Sequence, residues 1–313
     1  MIEVVDPGAL TSVQTAGGRT GWRHLGIPVG GAADAWSARL ANRLVGNDDD
    51  AALLEITLLG PTLRFEAAAR VALTGSRFTA NVDGRPLPAF EARDIPAGSR
   101  LRIGDGDGAR AYLAIAGGLV AERLLGSAAT DLRSGFGGHE GRALRAGDVL
   151  AFGPATGVAR RWTGASPQGP VRIVDGPHVQ RLATDALIST AWTLSPAADR
   201  TGARLDGPAL EGGGSEVASM ALPVGAIQVP PDGHPIVMLA DRPVTGGYRV
   251  PACVIGADVG RVARLRPGDA LEFVSVSRDD ARQAFLDREG ELAALEDVGK
   301  GPDDELGWAG ALE

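Results

Sequence analysis

One segment of the sequence concentrates side chains that can do acid–base and electrostatic chemistry. It reads IQVPPDGHPIVMLADRPVTGGYRV over residues 227–250 and holds Asp241, Arg242 and Tyr248, one of only 2 tyrosines in the chain. A carboxylate can transfer a proton or orient a substrate, and a guanidinium can stabilise negative charge that develops on an oxygen. We therefore predict that Asp241, Arg242 and Tyr248 are catalytic residues.

Glycine-rich segments beside arginines predict where a substrate or a nucleotide binds. They are TAGGRTGW (15–22), PVGGAAD (28–34), SGFGGHEG (134–141) and VTGGYR (244–249). Glycine lets backbone N–H groups approach a ligand, and arginine can hold phosphate or carboxylate with two hydrogen bonds. The predicted binding residues are Arg19, Gly30, Gly31, Asp34, Arg133, Gly137, Gly138, Gln228, Gly246 and Gly247. Arg142 is a further arginine that could bind phosphate or carboxylate in this way.

Several of these residues also have a purely structural interpretation. Asp34 precedes a helical pattern and is a suitable N-cap. Asp241 and Arg242 can simply pair with each other, and Tyr248 can be a core ring whose hydroxyl is satisfied. Glycine-rich loops in a β protein usually only turn the chain. The residue types alone leave both interpretations open.

Composition excludes several classes of chemistry. The chain has 313 residues and a net charge of −8, which argues against nucleic acid as a partner. Its only lysine is Lys300, so a P-loop, a Schiff base and an attached biotin in the folded region are not expected. The 4 histidines are scattered and Cys253 is the only cysteine, so we predict no metal site. Cys253 is expected to be a buried, inert thiol.

No signal peptide or long apolar run is visible, since the chain starts MIEVVDPGAL without a basic region or an apolar core. We therefore expect a cytoplasmic protein that does not contact a membrane.

Short alternating runs between glycines and prolines predict an all-β fold with few helices. Asp83-Gly84 and Asp232-Gly233 are predicted hairpin turns. The predicted strands are 69–75, 77–82, 109–116, 148–153, 171–176, 234–241 and 270–276, and the predicted helices are 34–47, 178–190 and 277–298. The third helix is amphipathic and is expected outside the barrels, and the tail after it is expected to be poorly ordered.

A repeated turn-and-strand pattern indicates two related β units. IPAGSRLRI (95–103), LRAGDVLAF (144–152) and LRPGDALEF (265–273) place Gly98, Gly147 and Gly268 at the turn. The alternative is that glycine turns recur in any β protein. We predict an N-terminal β unit over 1–158, a C-terminal β-barrel over 159–276, and a helix with a tail over 277–313.

Long irregular segments resemble one known family. GRTGWRHLGIPVGGAADAWSARLANRLVGN, SAATDLRSGFGGHEGRALRAGDVL, ADRTGARLDGPAL and VPPDGHPIVMLADRPVTGGYRVPACVIGADVGRVARLRPGD are similar to the family of the 5-oxoprolinase C subunit. That family is also called allophanate hydrolase subunit 2 or KipA-like, and it includes the second half of the carboxyltransferase domain of urea carboxylase. The likeness extends to about residue 275.

The resemblance implies two cyclophilin-like β-barrel units and a partner, which is the 5-oxoprolinase B subunit or its counterpart, allophanate hydrolase subunit 1. It also implies a third chain, the 5-oxoprolinase A subunit, in an ATP-dependent 5-oxoprolinase, where ATP is bound by the complex or by this chain. Arg200 enters the predicted binding residues through the matching segment 199–204.

This sequence differs from the usual family pattern in four segments, 14–19, 199–204, 219–220 and 241–249. Three functions therefore stay open. The first is a subunit of a hydrolase that opens a lactam or cleaves an amide with ATP. The second is a KipA-like regulatory protein that binds a kinase inhibitor. The third is a carboxyltransferase component that uses carboxybiotin on a separate carrier.

Overall fold

The computed structural model describes residues 1–179, 181–210 and 217–298. Lys300 and the tail predicted after residue 298 lie outside the described residues. The helices within those ranges are α1 (Ala35–Val45), α2 (Arg181–Ser189), α3 (Gly256–Ala263) and α4 (Arg278–Ala293), with a short 3-10 helix at Arg23–Leu25. In the same ranges, the helices are all too short or too polar to cross a bilayer.

The N-terminal part is built from two β-sheets. Its strands are β1 (Ile2–Asp6), β2 (Leu10–Gln14), β3 (Leu53–Thr57), β4 (Thr62–Phe65), β5 (Ala69–Gly75), β6 (Phe78–Val82), β7 (Arg85–Pro86), β8 (Arg93–Ile95), β9 (Arg100–Gly106), β10 (Arg110–Ile115), β11 (Leu119–Val120) and β12 (Val149–Phe152). One sheet has the order β11-β12-β1-β4-β9-β6-β7, and the other has the order β2-β3-β10-β5-β8. A single apolar core joins them, because side chains such as Leu63 and Phe65 of the first sheet pack with Leu73 and Leu113 of the second.

Helix α1 covers the outer face of the five-stranded sheet. It starts at the N-cap Asp34 and ends at Gly46, whose φ of 83° suits a glycine C-cap. Leu40 and Leu44 of the helix pack with Tyr112 of β10. Since β10 is covered by the sandwich core on one face and by α1 on the other, all of its residues are buried.

The C-terminal part is a nearly closed barrel. Its strands and the short ribbons beside it are β13 (Arg160–Arg161), β14 (Val171–Asp175), β15 (Trp192–Leu194), β16 (Gly202–Asp206), β17 (Met220–Ala221), β18 (Ala226–Val229), β19 (Ile236–Met238), β20 (Thr245–Gly246), β21 (Arg249–Val254), β22 (Ala270–Leu271), β23 (Phe273–Ser275) and β24 (Glu296–Asp297). The barrel sheet has the order β22-β15-β16-β19-β18-β21-β14-β23. Its two edge strands are separated in sequence only by Glu272, so the sheet curls until its edges meet.

The all-β class is confirmed, and each predicted run contains a strand. The run 234–241 is reduced to Ile236–Met238, and the last run is split at Glu272. The Asp83-Gly84 turn is a primed hairpin, because its φ values are 50° and 85°. The Asp232-Gly233 hairpin is different. Its turn is closed by a hydrogen bond of 3.0 Å from the Gly233 N–H to the Pro230 carbonyl, and only Gly233 has a positive φ.

The three repeated glycines occupy the same kind of turn. Gly98, Gly147 and Gly268 have φ values of 84°, 89° and 91°. Each donates its N–H to a strand carbonyl, at 2.7–2.8 Å. The strands of the sandwich end at Phe152 and those of the barrel begin at Val171. The domain limits themselves, and the common origin of the two units, stay predictions.

Helix α3 was not predicted from the sequence, and α4 ends at Ala293 rather than at residue 298. Helix α4 contacts both parts of the chain. Its Glu289 pairs with Arg39 of α1 at 2.5 Å, and the helix also packs on α3. Its buried residues, Ala284, Arg288 and Leu292, form one narrow line at four-residue spacing.

Candidate functional site

A buried ion-pair network joins the sandwich to the barrel. Arg200, just before β16, donates from Nε to Oδ2 of Asp241 at 2.7 Å and from Nη2 to Oδ1 at 2.9 Å. Its Nη1 donates to Glu55 of β3. Glu55 and Arg200 are 2% and 7% exposed, so this network is out of the solvent. Asp241 therefore pairs with Arg200, and the simple pairing of Asp241 with Arg242 is wrong.

The same network fixes the glycine-rich loop at residues 28–34. Glu55 Oε2 accepts from the Ala33 N–H at 2.8 Å, and Arg200 Nη2 donates to the Gly31 carbonyl at 2.6 Å. Gly31 has a φ of 83°, and a Cβ there would lie 2.8 Å from the backbone nitrogen of Gly18. Both the conformation and the close approach require glycine at this position.

Arg19 lies beside this loop and is 1% exposed. Its Nη2 donates to the Ala129 carbonyl, and its guanidinium lies 4.6 Å from the centre of the Phe136 ring. A Cβ on Gly30 would lie 3.6 Å from Arg19 Nη1 and 3.7 Å from Asp241 Oδ1. Gly30 thus leaves space between a guanidinium and a carboxylate. Burial lowers the pKa of Arg19, although Asp131 and Asp241 act in the opposite direction.

Asp34 has a clear structural role. Its carboxylate accepts from the Ser37 N–H at 3.1 Å and from the Ser37 hydroxyl at 2.6 Å, so it caps α1. It also forms an ion pair with Arg264 at the end of α3. The N–H of Asp34 donates to the Tyr112 hydroxyl at 2.7 Å. Asp34 is a second link between the two parts of the chain.

Arg242 is held by backbone carbonyls. Its Nε donates to the Leu222 carbonyl at 2.9 Å, and its Nη1 donates to the Leu239 carbonyl at 3.3 Å. Arg23, from the short 3-10 helix, donates to the same Leu222 carbonyl at 2.9 Å. Burial and the nearby charge of Arg23 lower the pKa of Arg242 to about 10, so it is still a cation at neutral pH.

The pKa of Asp241 is raised, because burial and the negative charges of Glu55 and Asp131 outweigh the effect of Arg200. Glu55 behaves differently. Burial would raise its pKa, but the charges of Arg200 and Arg110 and the Ala33 N–H outweigh it, and the pKa is lowered. Asp241 is therefore the carboxyl group of the network that is better suited to exchange a proton.

A cavity of about 240 Å³ opens beside Arg242. It lies between the first residues of α1 and α3, where helix N-termini favour a negative charge. Its other arginines each pair with an acid: Arg261 with Asp258, Arg264 with Asp34, and Arg288 with Glu291. Within the part of the chain that the structure describes, Arg242 is the lining arginine without a carboxylate partner.

Other predicted residues lie outside this network of contacts. Gly246, in β20, leaves space for the buried Gln228, because a Cβ there would lie 2.5 Å from Gln228 Nε2. Gly247 approaches the Val217 carbonyl. Tyr248 is 39% exposed, so the alternative of a core ring is wrong. The core tyrosine is Tyr112, whose pKa burial raises well above its usual value.

The loop around residues 131–142 holds the remaining predicted residues. Gly137 and Gly138 have φ values of 74° and 61°, and Gly137 packs against Arg19. Arg133 is exposed. Arg142 is already engaged, because it binds Asp148 at 2.7 Å and Glu140 at 2.6 Å. No described contact gives Arg133, Gly137 or Gly138 a ligand, so their binding roles stay predictions.

Two residues of the site were missed in the sequence. Glu55 is a lone carboxylate in the apolar run AALLEITLLG, which is a signal for a buried, paired charge. Arg23 comes directly after the segment TAGGRTGW that was singled out. Neither spacing shows the partner, because Glu55 and Arg200 are separated by 145 positions.

The fold and the site define a class of protein: an all-β chain in two parts that meet at a buried ion-pair network beside an arginine-lined cavity. The family description "carboxyltransferase domain, subdomain A and B" matches residues 25–275. The chain belongs to this carboxyltransferase domain family.

Known relatives cover the chain almost completely. It is 38% identical to the C subunit of 5-oxoprolinase from Escherichia coli (strain K12), over 92% of this chain and 96% of that protein. It is 32% identical to urea amidolyase of Saccharomyces cerevisiae, over 90% of this chain but only 17% of that protein. The crystal structure of Kluyveromyces lactis urea carboxylase matches with a TM-score of 0.86 and 31% identity, over 97% of this chain and 30% of that chain.

Proposed function

We propose that this chain is one subunit of a hetero-oligomeric hydrolase that cleaves a small lactam or amide, namely an ATP-dependent 5-oxoprolinase. The observation that carries the proposal is the 38% identity to the C subunit of 5-oxoprolinase, which extends over 96% of that protein. The partners would be the B subunit and, as a third component, the A subunit of such an enzyme. A reaction that consumes ATP would place this complex in the cytoplasm.

The described side chains support definite roles in such a reaction. Arg242 would supply positive charge for an anionic group of the bound substrate, since it lies at the cavity and has no acidic partner within residues 1–179, 181–210 and 217–298. Asp241 would exchange a proton or orient the substrate, and its raised pKa suits that role. Arg200 holds Asp241 in place and is itself bound by Glu55 of the other part of the chain.

The cavity beside Arg242 is small for ATP, and a larger one has a mixed charge. The cavity beside Arg242 has about 240 Å³, below the about 300–1,000 Å³ of sites for drug-sized ligands. A larger cavity of about 640 Å³ is lined by three arginines, Arg77, Arg261 and Arg264, and by three acidic residues, Asp107, Asp269 and Glu272, so it is not a mainly positive pocket for a triphosphate. We therefore assign ATP to another chain of the complex and derive no step through it.

The experiment is reconstitution of the complex. The chain is purified with its B-subunit partner, the third component is added, and ATP hydrolysis is measured with and without 5-oxoproline. Stimulated hydrolysis that depends on Arg242 supports the proposal. A stable complex that turns over neither 5-oxoproline, urea nor allophanate contradicts it and favours a KipA-like binding protein.

A carboxyltransferase component is a second candidate, because the fold matches urea carboxylase with a TM-score of 0.86. Carboxybiotin on a separate carrier would supply the carboxyl group. The cavity beside Arg242 could accept a small carboxylated ureido group, with Arg242 as its anion contact. Transfer of labelled carboxylate from a carboxybiotin carrier to urea, in the presence of this chain and its partner, tests this alternative.

A further inference from the structure

Two arginines from distant parts of the sequence meet on one backbone oxygen. Arg23 Nη2 and Arg242 Nε each donate to the Leu222 carbonyl at 2.9 Å. Arg23 Nη2 also donates to the Val244 carbonyl, at 2.9 Å. The two guanidinium groups are therefore neighbours, held by strand-end carbonyls.

Such a pair of like charges is unfavourable by itself. Each cation raises the cost of protonating the other, and a nearby anion would remove that cost. Within the described ranges, neither Arg23 nor Arg242 lies within 4.0 Å of a carboxylate, whereas Arg39, Arg142, Arg172, Arg200 and Arg264 all do. The fold thus holds two cations together without supplying their counter-ion from the residues that it describes.

Both guanidinium groups keep donors for a ligand. The hydrogen bonds of Arg23 use only Nη2, and those of Arg242 use Nε and Nη1. Nε and Nη1 of Arg23 and Nη2 of Arg242 have no hydrogen bond among the described residues, and none of them is a buried atom without a partner. These donors face accessible space, and two guanidinium groups together match the planar oxygens of a carboxylate.

We propose that Arg23 and Arg242 form a clamp for a carboxylate group of the substrate. The clamp selects a lactam or amide that carries a carboxylate, such as 5-oxoproline, over a neutral one, such as urea. A site with charged donors discriminates strongly against an analogue without the acceptor, because the donors then stay unpaired. This inference rests on the proposed function and names the substrate feature that the site recognises.

The test is a binding measurement on the full chain purified with its B-subunit partner. Calorimetry compares 5-oxoproline with 2-pyrrolidinone, the same lactam without the carboxylate, and uses acetate as a simple carboxylate probe. We expect 5-oxoproline to bind at least about tenfold more tightly than 2-pyrrolidinone. Equal affinity for the two lactams would overturn the clamp.

The main variant is Arg23→Gln, which removes the charge and, because its side chain is shorter, also loses the Nη2 hydrogen bonds to the Leu222 and Val244 carbonyls. A thermal unfolding curve checks that the variant stays folded. The variant should weaken 5-oxoproline and acetate binding at least about tenfold and leave 2-pyrrolidinone binding unchanged. Arg23→Lys keeps the charge without the planar guanidinium, so its affinity for 5-oxoproline should lie between those of wild type and Arg23→Gln. The control is Arg64→Ala, which removes an arginine of an exposed pair with Glu3 and should change no affinity.

The outcomes separate the clamp from the proposed function. Binding of acetate that depends on Arg23, without any turnover of 5-oxoproline, supports the clamp and rejects the 5-oxoprolinase function. Turnover of 5-oxoproline with the same KM in wild type and Arg23→Gln supports that function and rejects the clamp.

Discussion

Arg200 donates two hydrogen bonds to Asp241, of 2.7 Å and 2.9 Å, and its third nitrogen donates to Glu55 of the other part of the chain. The carboxylate that we assign to proton exchange is therefore positioned by Arg200 of the barrel, which is itself bound by Glu55 of the sandwich. A movement of one part relative to the other would change the environment of Asp241. The geometry of the site therefore depends on how the sandwich and the barrel pack together.

Replacing Arg200 with alanine is expected to destabilise the protein strongly. The change leaves the largely buried Asp241 without its counter-ion and leaves the buried Glu55 with only Arg110, at 3.9 Å. Removing one partner of a buried pair costs about 3–5 kcal/mol. Urea denaturation followed by circular dichroism measures the free energy of unfolding. Exposed Arg64→Ala is the control and should change it by less than about 1 kcal/mol. A similar small change for Arg200→Ala would show that the network does not stabilise the fold.

Replacing Arg242 with alanine is expected to abolish turnover or substrate binding while leaving the melting temperature within about 2 °C of wild type. Removing the side chain relieves its repulsion with Arg23, and the Leu222 carbonyl keeps its hydrogen bond from Arg23. The steady-state rate of the reconstituted complex and a thermal unfolding curve measure the two effects. A large fall in melting temperature would make Arg242 a structural residue.

The charge of Arg242 also predicts a pH dependence. The pKa of about 10 means that Arg242 is a cation at pH 7 and loses its proton as the pH rises through about 10. Affinity for acetate should therefore be constant from about pH 7 to 9 and fall above about pH 10. Calorimetry at each pH measures it, with circular dichroism as the check that the chain stays folded. Affinity that stays constant up to pH 11 contradicts a role for Arg242 in binding the anion.

Local sequence signals predicted the parts of the fold that have local causes. Helix α1 has its N-cap at Asp34 and its C-cap at Gly46, both recognisable from residue type. Helix α3 was missed because Gly256 and Gly260 lower its helix propensity. It forms because Val259 and Val262 pack into the barrel core, which is a tertiary effect that one sequence does not display.

The sequence indicated some residues of the site but not which side chains pair with them. The segment 227–250 holds Arg242, which lines the cavity, and Asp241, which belongs to the ion-pair network, and their catalytic roles stay predictions. Their partners come from residues far away along the chain, since Arg23 meets Arg242 only on the Leu222 carbonyl. Side-chain pairing across such distances depends on how the barrel docks on the sandwich.

Two substitutions of Asp34 can separate the contribution of its N-cap to stability from that of its ion pair. Asp34→Asn keeps an oxygen that can accept from the Ser37 N–H but removes the charge opposite Arg264. Asp34→Ala removes both interactions, so it should be less stable than Asp34→Asn by about 1 kcal/mol, the value of an N-cap. Chemical denaturation of both variants measures the difference. Equal stability would show that the cap adds nothing to the ion pair.

Gly260 is where α3 touches the cap of α1, and its replacement by alanine should be costly. A Cβ at this position would overlap the Asp34 carboxylate. That carboxylate cannot move away freely, because it is held by Ser37 and by Arg264. We expect Gly260→Ala to lower the free energy of unfolding by about 1–3 kcal/mol, as overpacking does.

The matched control for Gly260→Ala is Gly290→Ala in α4. A Cβ on Gly290 would meet no atom within 4 Å, so alanine there should stabilise the helix by about 0.5–1 kcal/mol. The two substitutions have the same effect on backbone entropy, and both sites are helical. Opposite signs in urea denaturation would therefore isolate the contact between α3 and Asp34. If both variants were stabilised, the carboxylate of Asp34 would have to be free to rotate, and its capping of α1 and its ion pair with Arg264 would contribute little to the junction of the two parts.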